Sequence, residues 1–152
     1  MRLTFAIFLF VFSSNSLASN KISIFGEDIQ LPESCKMIVR SSDDISYYCW
    51  SQDSRYQSIN FLSPKKQSDK LKELSNLPVE SDISVISISS KIIGKREHYL
   101  VQLMMDSSES FDYSICETEL CISVLSGDIR FISEVIGQLS PPVLLNGEDF
   151  GL

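Results

Sequence analysis

Between residues 21 and 139 apolar and polar side chains mostly alternate, the period of a half-buried strand, and in two places the period lengthens to that of a helix. Lys21 to Leu31 reads as a short strand pair around Gly26-Glu27. Cys35–Ser41 and Ile45–Ser51 form a hairpin about the polar turn Ser41-Ser42-Asp43-Asp44. Folded there, it sets Cys35 against Cys49, Met37 against Tyr47 and Val39 against Ile45, and these six share one face. Lys36, Ile38, Arg40, Ser46, Tyr48 and Trp50 take the other face. Ser58–Leu62 is a further strand. Ile83–Ile93 and Glu97–Asp106 carry the strongest strand signal, with Gly94-Lys95 as a two-residue turn. That register brings Ile88 to Val101, Ile86 to Leu103 and Ser90 to Tyr99, and it leaves His98 opposite Lys91 on the polar side. Phe111–Cys116 and Cys121–Ser126 make a third hairpin, pairing Tyr113 with Val124 and Ile115 with Ile122.

Helical spacing occurs twice. Ser63-Pro64 is an N-cap followed by proline at the first helical position. Leu71, Leu74 and Leu77 then form one stripe, Lys65, Lys66, Lys70 and Lys72 read as a solvated face, and Pro78 ends the helix. Gly127-Asp128 opens a second helix on Ile129, Ile132, Ile136 and Leu139, broadened by Phe131 and Val135 and stopped by Pro141-Pro142. The expectation is an α+β fold: a mostly antiparallel sheet built from hairpins, with both helices packed on its one apolar face. The tail 143–152 has no period and is expected to lie extended or loose.

The N-terminus does not belong to this pattern. Arg2 precedes Leu3–Phe12, ten residues with one polar side chain, and Ser16-Leu17-Ala18 has small residues at the −3 and −1 positions of a cleavage site. Residues 1–18 read as a secretory signal peptide, and the apolar run is shorter than the roughly 20 residues a membrane span needs. Position 19 is Ser, which leaves no lipid-anchor cysteine. Cleavage would leave 134 residues with 12 basic and 20 acidic side chains, a formal charge of −8. That length suits one domain, 19–142. The charge disfavours nucleic acid and anionic membrane as partners. The chain has no Asn-x-Ser/Thr sequon, and with so short a basic start this favours a bacterial periplasm.

All four cysteines fall in the expected mature chain. Three connectivities exist, and the spacing favours Cys35–Cys49 and Cys116–Cys121, each facing itself across a hairpin. Loop closure assigns roughly 3 kcal/mol to the first and about 2 kcal/mol to the second. The second, on the side away from Ile115 and Ile122, is expected nearer solvent. No C-x-x-C spacing and a single histidine argue against a redox motif or a thiol metal site, so no metal and no cofactor are expected.

Catalytic constellations are absent from the residue pattern. His98 reads as a strand histidine on the polar side, without the nucleophile and orienting acid of a hydrolase. Asp43-Asp44 belong to a turn. There is no phosphate loop, dinucleotide glycine pattern, zinc-helix motif or calcium loop. Two features suggest recognition instead. From Glu97 to Asp128 run seven carboxylates (Glu97, Asp106, Glu109, Asp112, Glu117, Glu119, Asp128) with no Lys or Arg, a field that would attract a basic protein. Tyr48, Trp50 and Ile38 share a strand face, and Tyr and Trp are favoured interface anchors. In size, export and cysteine economy the chain resembles the small periplasmic immunity proteins that protect bacteria from antibacterial toxins. The resemblance implies a protein-binding inhibitor, not an enzyme. It would occlude a basic toxin with the acidic hairpin Phe111–Ser126 or the tail, through Asp112, Glu117, Glu119, Tyr48 and Trp50, as a monomer or homodimer. An assembly factor for an envelope, secretion or pilus system, binding by an exposed strand edge, is the alternative, and a small cell-envelope hydrolase the third.

Overall fold

In a computed structural model of the chain, residues 20–41, 44–50, 56–78 and 81–139 can be described. The expected signal segment 1–18 and the tail 143–152 lie outside them. The elements are β1 (Lys21–Ile24), β2 (Glu27–Gln30), β3 (Cys35–Ser41), β4 (Asp44–Trp50), β5 (Tyr56–Leu62), α1 (Pro64–Ser75), β6 (Ile83–Ile93), β7 (Arg96–Met105), β8 (Ser108–Cys116), β9 (Cys121–Ser126) and α2 (Ile129–Ile136). β1 and β2 form a separate hairpin. The other seven strands form one antiparallel sheet in the order β3-β4-β5-β9-β8-β7-β6. The fold is α+β and mainly β, as the periodicity predicts.

Register follows the hydrophobic pattern closely. Cys35 faces Cys49, Met37 faces Tyr47, Val39 faces Ile45, Ile88 faces Val101, Ser90 faces Tyr99, Tyr113 faces Val124 and Ile115 faces Ile122. One pair differs: a register shift between Val85 and Ser87 puts Val85, not Ile86, opposite Leu103. The extra residue of a bulge swings Ile86 out of the ladder, and it is exposed. Gly94, at φ +62°, supplies the left-handed residue that the two-residue turn between β6 and β7 requires.

The two helices cover opposite faces of the sheet, which corrects the expectation of one-face packing. Tyr113, Ile115, Ile122, Val124 and Ile59 point to one side and form a core with Phe131, Ile132, Val135 and Ile136 of α2 and with Ile24, Ile29 and Leu31 of the β1–β2 region. This α2 face is already filled. Gln138 seals it: its side chain accepts from the Gln30 backbone N–H at 2.7 Å and donates to the Gln30 carbonyl at 2.9 Å.

α1 lies on the other side, over the intervening residues of the same strands. Gln67 Nε2 donates to Ser114 Oγ at 2.9 Å, and Lys70 Nζ to Ser123 Oγ at 3.0 Å. The physical reason is composition. This α1 face of β5, β8 and β9 carries Ser58, Asn60, Asp112, Ser114 and Ser123, and buried polar groups need polar partners. A lysine-rich helix can supply them. Lys70 therefore turns inward instead of lying on a solvated helix face. Ser63 caps α1 by accepting from Lys66 N, and Asp128 caps α2 by accepting from Arg130 N.

Both cysteine pairs are bonded as the spacing favours, Cys35–Cys49 and Cys116–Cys121. The second is as buried as the first (Cys116 6 %, Cys121 0 % exposed), not nearer solvent, because α1 starts over that end of the central strands β8 and β9. Among the described residues, no helix is long and apolar enough to cross a membrane.

Candidate functional site

The α1 face is incompletely covered, and its uncovered part is the candidate site. A cleft of about 410 Å³ opens where α1 leaves the sheet. Arg40, Tyr48, Ser58, Asn60, Lys70 and Asp112 give it polar lining, and Leu74, Ile83, Leu103 and Leu125 apolar lining. Strand alternation sets this arrangement, since Tyr48, Ser58, Leu125, Asp112 and Val101 lie in one row across β4, β5, β9, β8 and β7.

Asp112 anchors the floor. It is 2 % exposed, ion-paired with Lys70, and accepts hydroxyl bonds from Ser123 at 2.8 Å and Ser114 at 3.3 Å. A carboxylate so placed is tolerable only with a cation and donors around it. This removes Asp112 from the set of residues that could be offered to a partner on a convex surface.

Beside the cleft, β4 continues into an apolar and aromatic strip. Arg40 stacks on the Tyr48 ring at 5.8 Å and donates to the Tyr48 hydroxyl. Trp50, two residues on and on the same side, is 65 % exposed, and Ile38 on β3 is 44 % exposed. The sequence brought Tyr48, Trp50 and Ile38 together correctly. It also put Arg40 on that face, and it missed Lys70 as their neighbour. A signal for Lys70 existed: Asp112 sits between Phe111 and Tyr113 in a strand buried on both faces, a place where a carboxylate requires a cation.

The acidic stretch is more committed than its residue list suggests. Glu117 accepts from Arg96 Nε at 2.8 Å and pairs with Lys95 at 3.1 Å. The Arg96 hydrogen bond holds the Glu117 carboxyl below its ordinary pKa, with Lys95 adding to this and burial opposing it. Arg96 also donates to Glu27 of β2 at 2.6 Å and lies over the Phe25 ring at 4.8 Å. Burial works against the Arg96 charge, yet the two carboxylates outweigh it and raise its pKa. Glu117 thus helps lock the β1–β2 hairpin to the sheet through Arg96. Asp128 serves α2, pairing with Arg130 at 2.9 Å. Glu119 is exposed at the tip of the β8–β9 hairpin.

His98 departs from its expected setting. It is opposite Lys91 as predicted, but its side of β7 is the α2 face, and it is 1 % exposed. Its Nδ1 is 2.9 Å from the Tyr113 hydroxyl, and Nε2 has no hydrogen-bond partner among the described residues. Burial, then the charges of Arg96 and Lys91, push its pKa down to about 4, so it is neutral at neutral pH.

No protein-family model and no curated protein matches the chain.

Proposed function

We propose that this is an exported protein-binding protein, an immunity protein or inhibitor that neutralises an antibacterial toxin by occluding it. The observation that carries the reading is the strip of exposed Ile38 and Trp50 with half-buried Tyr48, beside a cleft of mixed polar and apolar lining. Large aromatics held on a rigid, cross-linked hairpin bind at low entropic cost, because few rotamers are left to freeze. The formal charge of −7 on the chain, −8 after cleavage, would speed encounter with a basic toxin, while the strip provides the grip at contact. Glu119 adds a charge at the sheet's other end. β3 is the last strand of the sheet among the described residues, and its exposed Met37 and Val39 favour a second reading, an envelope or pilus assembly factor that adds a subunit's strand there.

The test is co-purification of the exported protein with the toxins and envelope subunits encoded beside it. A nanomolar toxin complex is expected. Trp50→Ala should weaken it by roughly 30-fold or more, the loss of about 2 kcal/mol expected of a central aromatic anchor, with no change in melting temperature. A subunit complex insensitive to Trp50→Ala and abolished by Val39→Pro would support the second reading and overturn the first. No nanomolar partner would overturn both.

A further inference from the structure

We propose that β6 pairs with its own copy, joining two molecules edge to edge about a two-fold axis centred on Ser90. Among the described residues β6 pairs only with β7, so no described strand lies along its outer edge. Proteins normally guard such an edge with charge, proline or a distortion. The other sheet edge, β3, has Lys36, Arg40 and a register shift between Val39 and Ser41. On β6, the regular run Ser87–Ile93 contains no proline and a single charge, Lys91, while Ile88 is 40 % and Ile92 71 % exposed.

The run is bounded on one side by the Val85/Ser87 shift and on the other by the turn at Gly94. Its midpoint is Ser90. A two-fold axis normal to the sheet keeps each residue on its own face, so antiparallel self-pairing about Ser90 sets Ser90 against Ser90, Ile88 against Ile92 twice, and Lys91 against Ser89 twice. Both exposed isoleucines are then covered by each other on the α1 face, and no like charges meet. Moving the axis to Lys91 would oppose two lysines, a destabilising arrangement. Moving it to Ser89 would pair only five residues before the Val85/Ser87 shift interrupts the ladder. The contact is isologous, so it closes at two copies, and it does not involve β3 or β4.

Sedimentation equilibrium of the folded, unreduced protein over a wide concentration range tests the proposal. The expected result is a monomer–dimer equilibrium. Ser90→Lys and Ser90→Glu, each at an exposed position, should each weaken the dimer by roughly fivefold or more, because residue 90 meets its own charge. An equimolar mixture of the two variants should restore association. Ser90→Cys should form an intermolecular disulfide on mild oxidation, since directly opposed strand residues lie within disulfide reach. This last readout needs no charge in the edge and so stands if the charged variants fold poorly. A monomer at all concentrations would overturn the proposal. So would a dimer indifferent to the charge at residue 90, or one that Ser90→Cys does not cross-link.

Discussion

Lowering the pH should destabilise this protein, and one residue, His98, contributes a share that can be isolated. His98 is neutral in the fold, with its pKa held at about 4 against an ordinary 6.5. Between those values the unfolded chain binds a proton that the native one refuses, so stability falls as pH falls. The contribution is fully present above pH 6.5, declines through the window and levels off below pH 4. At about 1.4 kcal/mol per pKa unit, the loss is roughly 2 kcal/mol by pH 5 and about 3 kcal/mol at pH 4. The physical origin is specific: protonation would place a charge among core side chains, near Arg96 and Lys91, with Nε2 unpartnered among the described residues. Urea unfolding followed by far-UV circular dichroism at pH 7, 6, 5 and 4 measures it. His98→Gln is the control, because its side chain does not titrate and can still reach the Tyr113 hydroxyl. The two proteins should converge in stability as the pH drops. The carboxylates with lowered pKa values, Glu117 and Asp28, also shed stability in acid, but they do so equally in both proteins. His98 is the chain's single histidine, so its ring-proton resonance can be followed without ambiguity and should titrate near 4. Parallel stability curves, or an imidazole midpoint near 6.5, would refute the reasoning.

Other perturbations follow from the buried charges and the cross-links. Arg96→Met leaves Glu27 and Glu117 without their shared cation; both carboxylates are partly wet, so the cost should be about 2–3 kcal/mol, below that of a fully buried pair. Melting temperature reports it, and hydrogen exchange should rise first in β1 and β2, which this contact latches. Lys70→Met strands the Asp112 carboxylate and should cost about 2–4 kcal/mol, most of it recovered when Asp112→Asn is added. If the double variant is no more stable than Lys70→Met, the pair is not the source of the cost. Replacing Cys116 and Cys121 together by alanine should lower stability by about 2 kcal/mol in denaturant titration, less than the roughly 3 kcal/mol expected for Cys35 and Cys49, because its loop is shorter.

The parts of this molecule that are local in sequence could be read from sequence. Strand alternation, the proline and glycine positions and the capping residues Ser63 and Asp128 act within a few residues. They suffice to place both helices, the hairpins, nearly all of their register and both disulfides. Tyr48, Trp50 and Ile38 could be put on one face for the same reason, since a strand has only two. What alternation cannot say is which of those two faces is buried, or by what. That was decided by long-range choices: α2 and the β1–β2 hairpin filled the isoleucine-rich face, and α1 was left with the serine-rich one. From that single division came the inward Lys70, the buried Asp112, the buried His98, the cleft beside Tyr48 and the internal use of Glu117. A carboxylate or an imidazole has the same letter whether it faces water or the core, and its chemistry belongs to the neighbours that the folded chain brings to it.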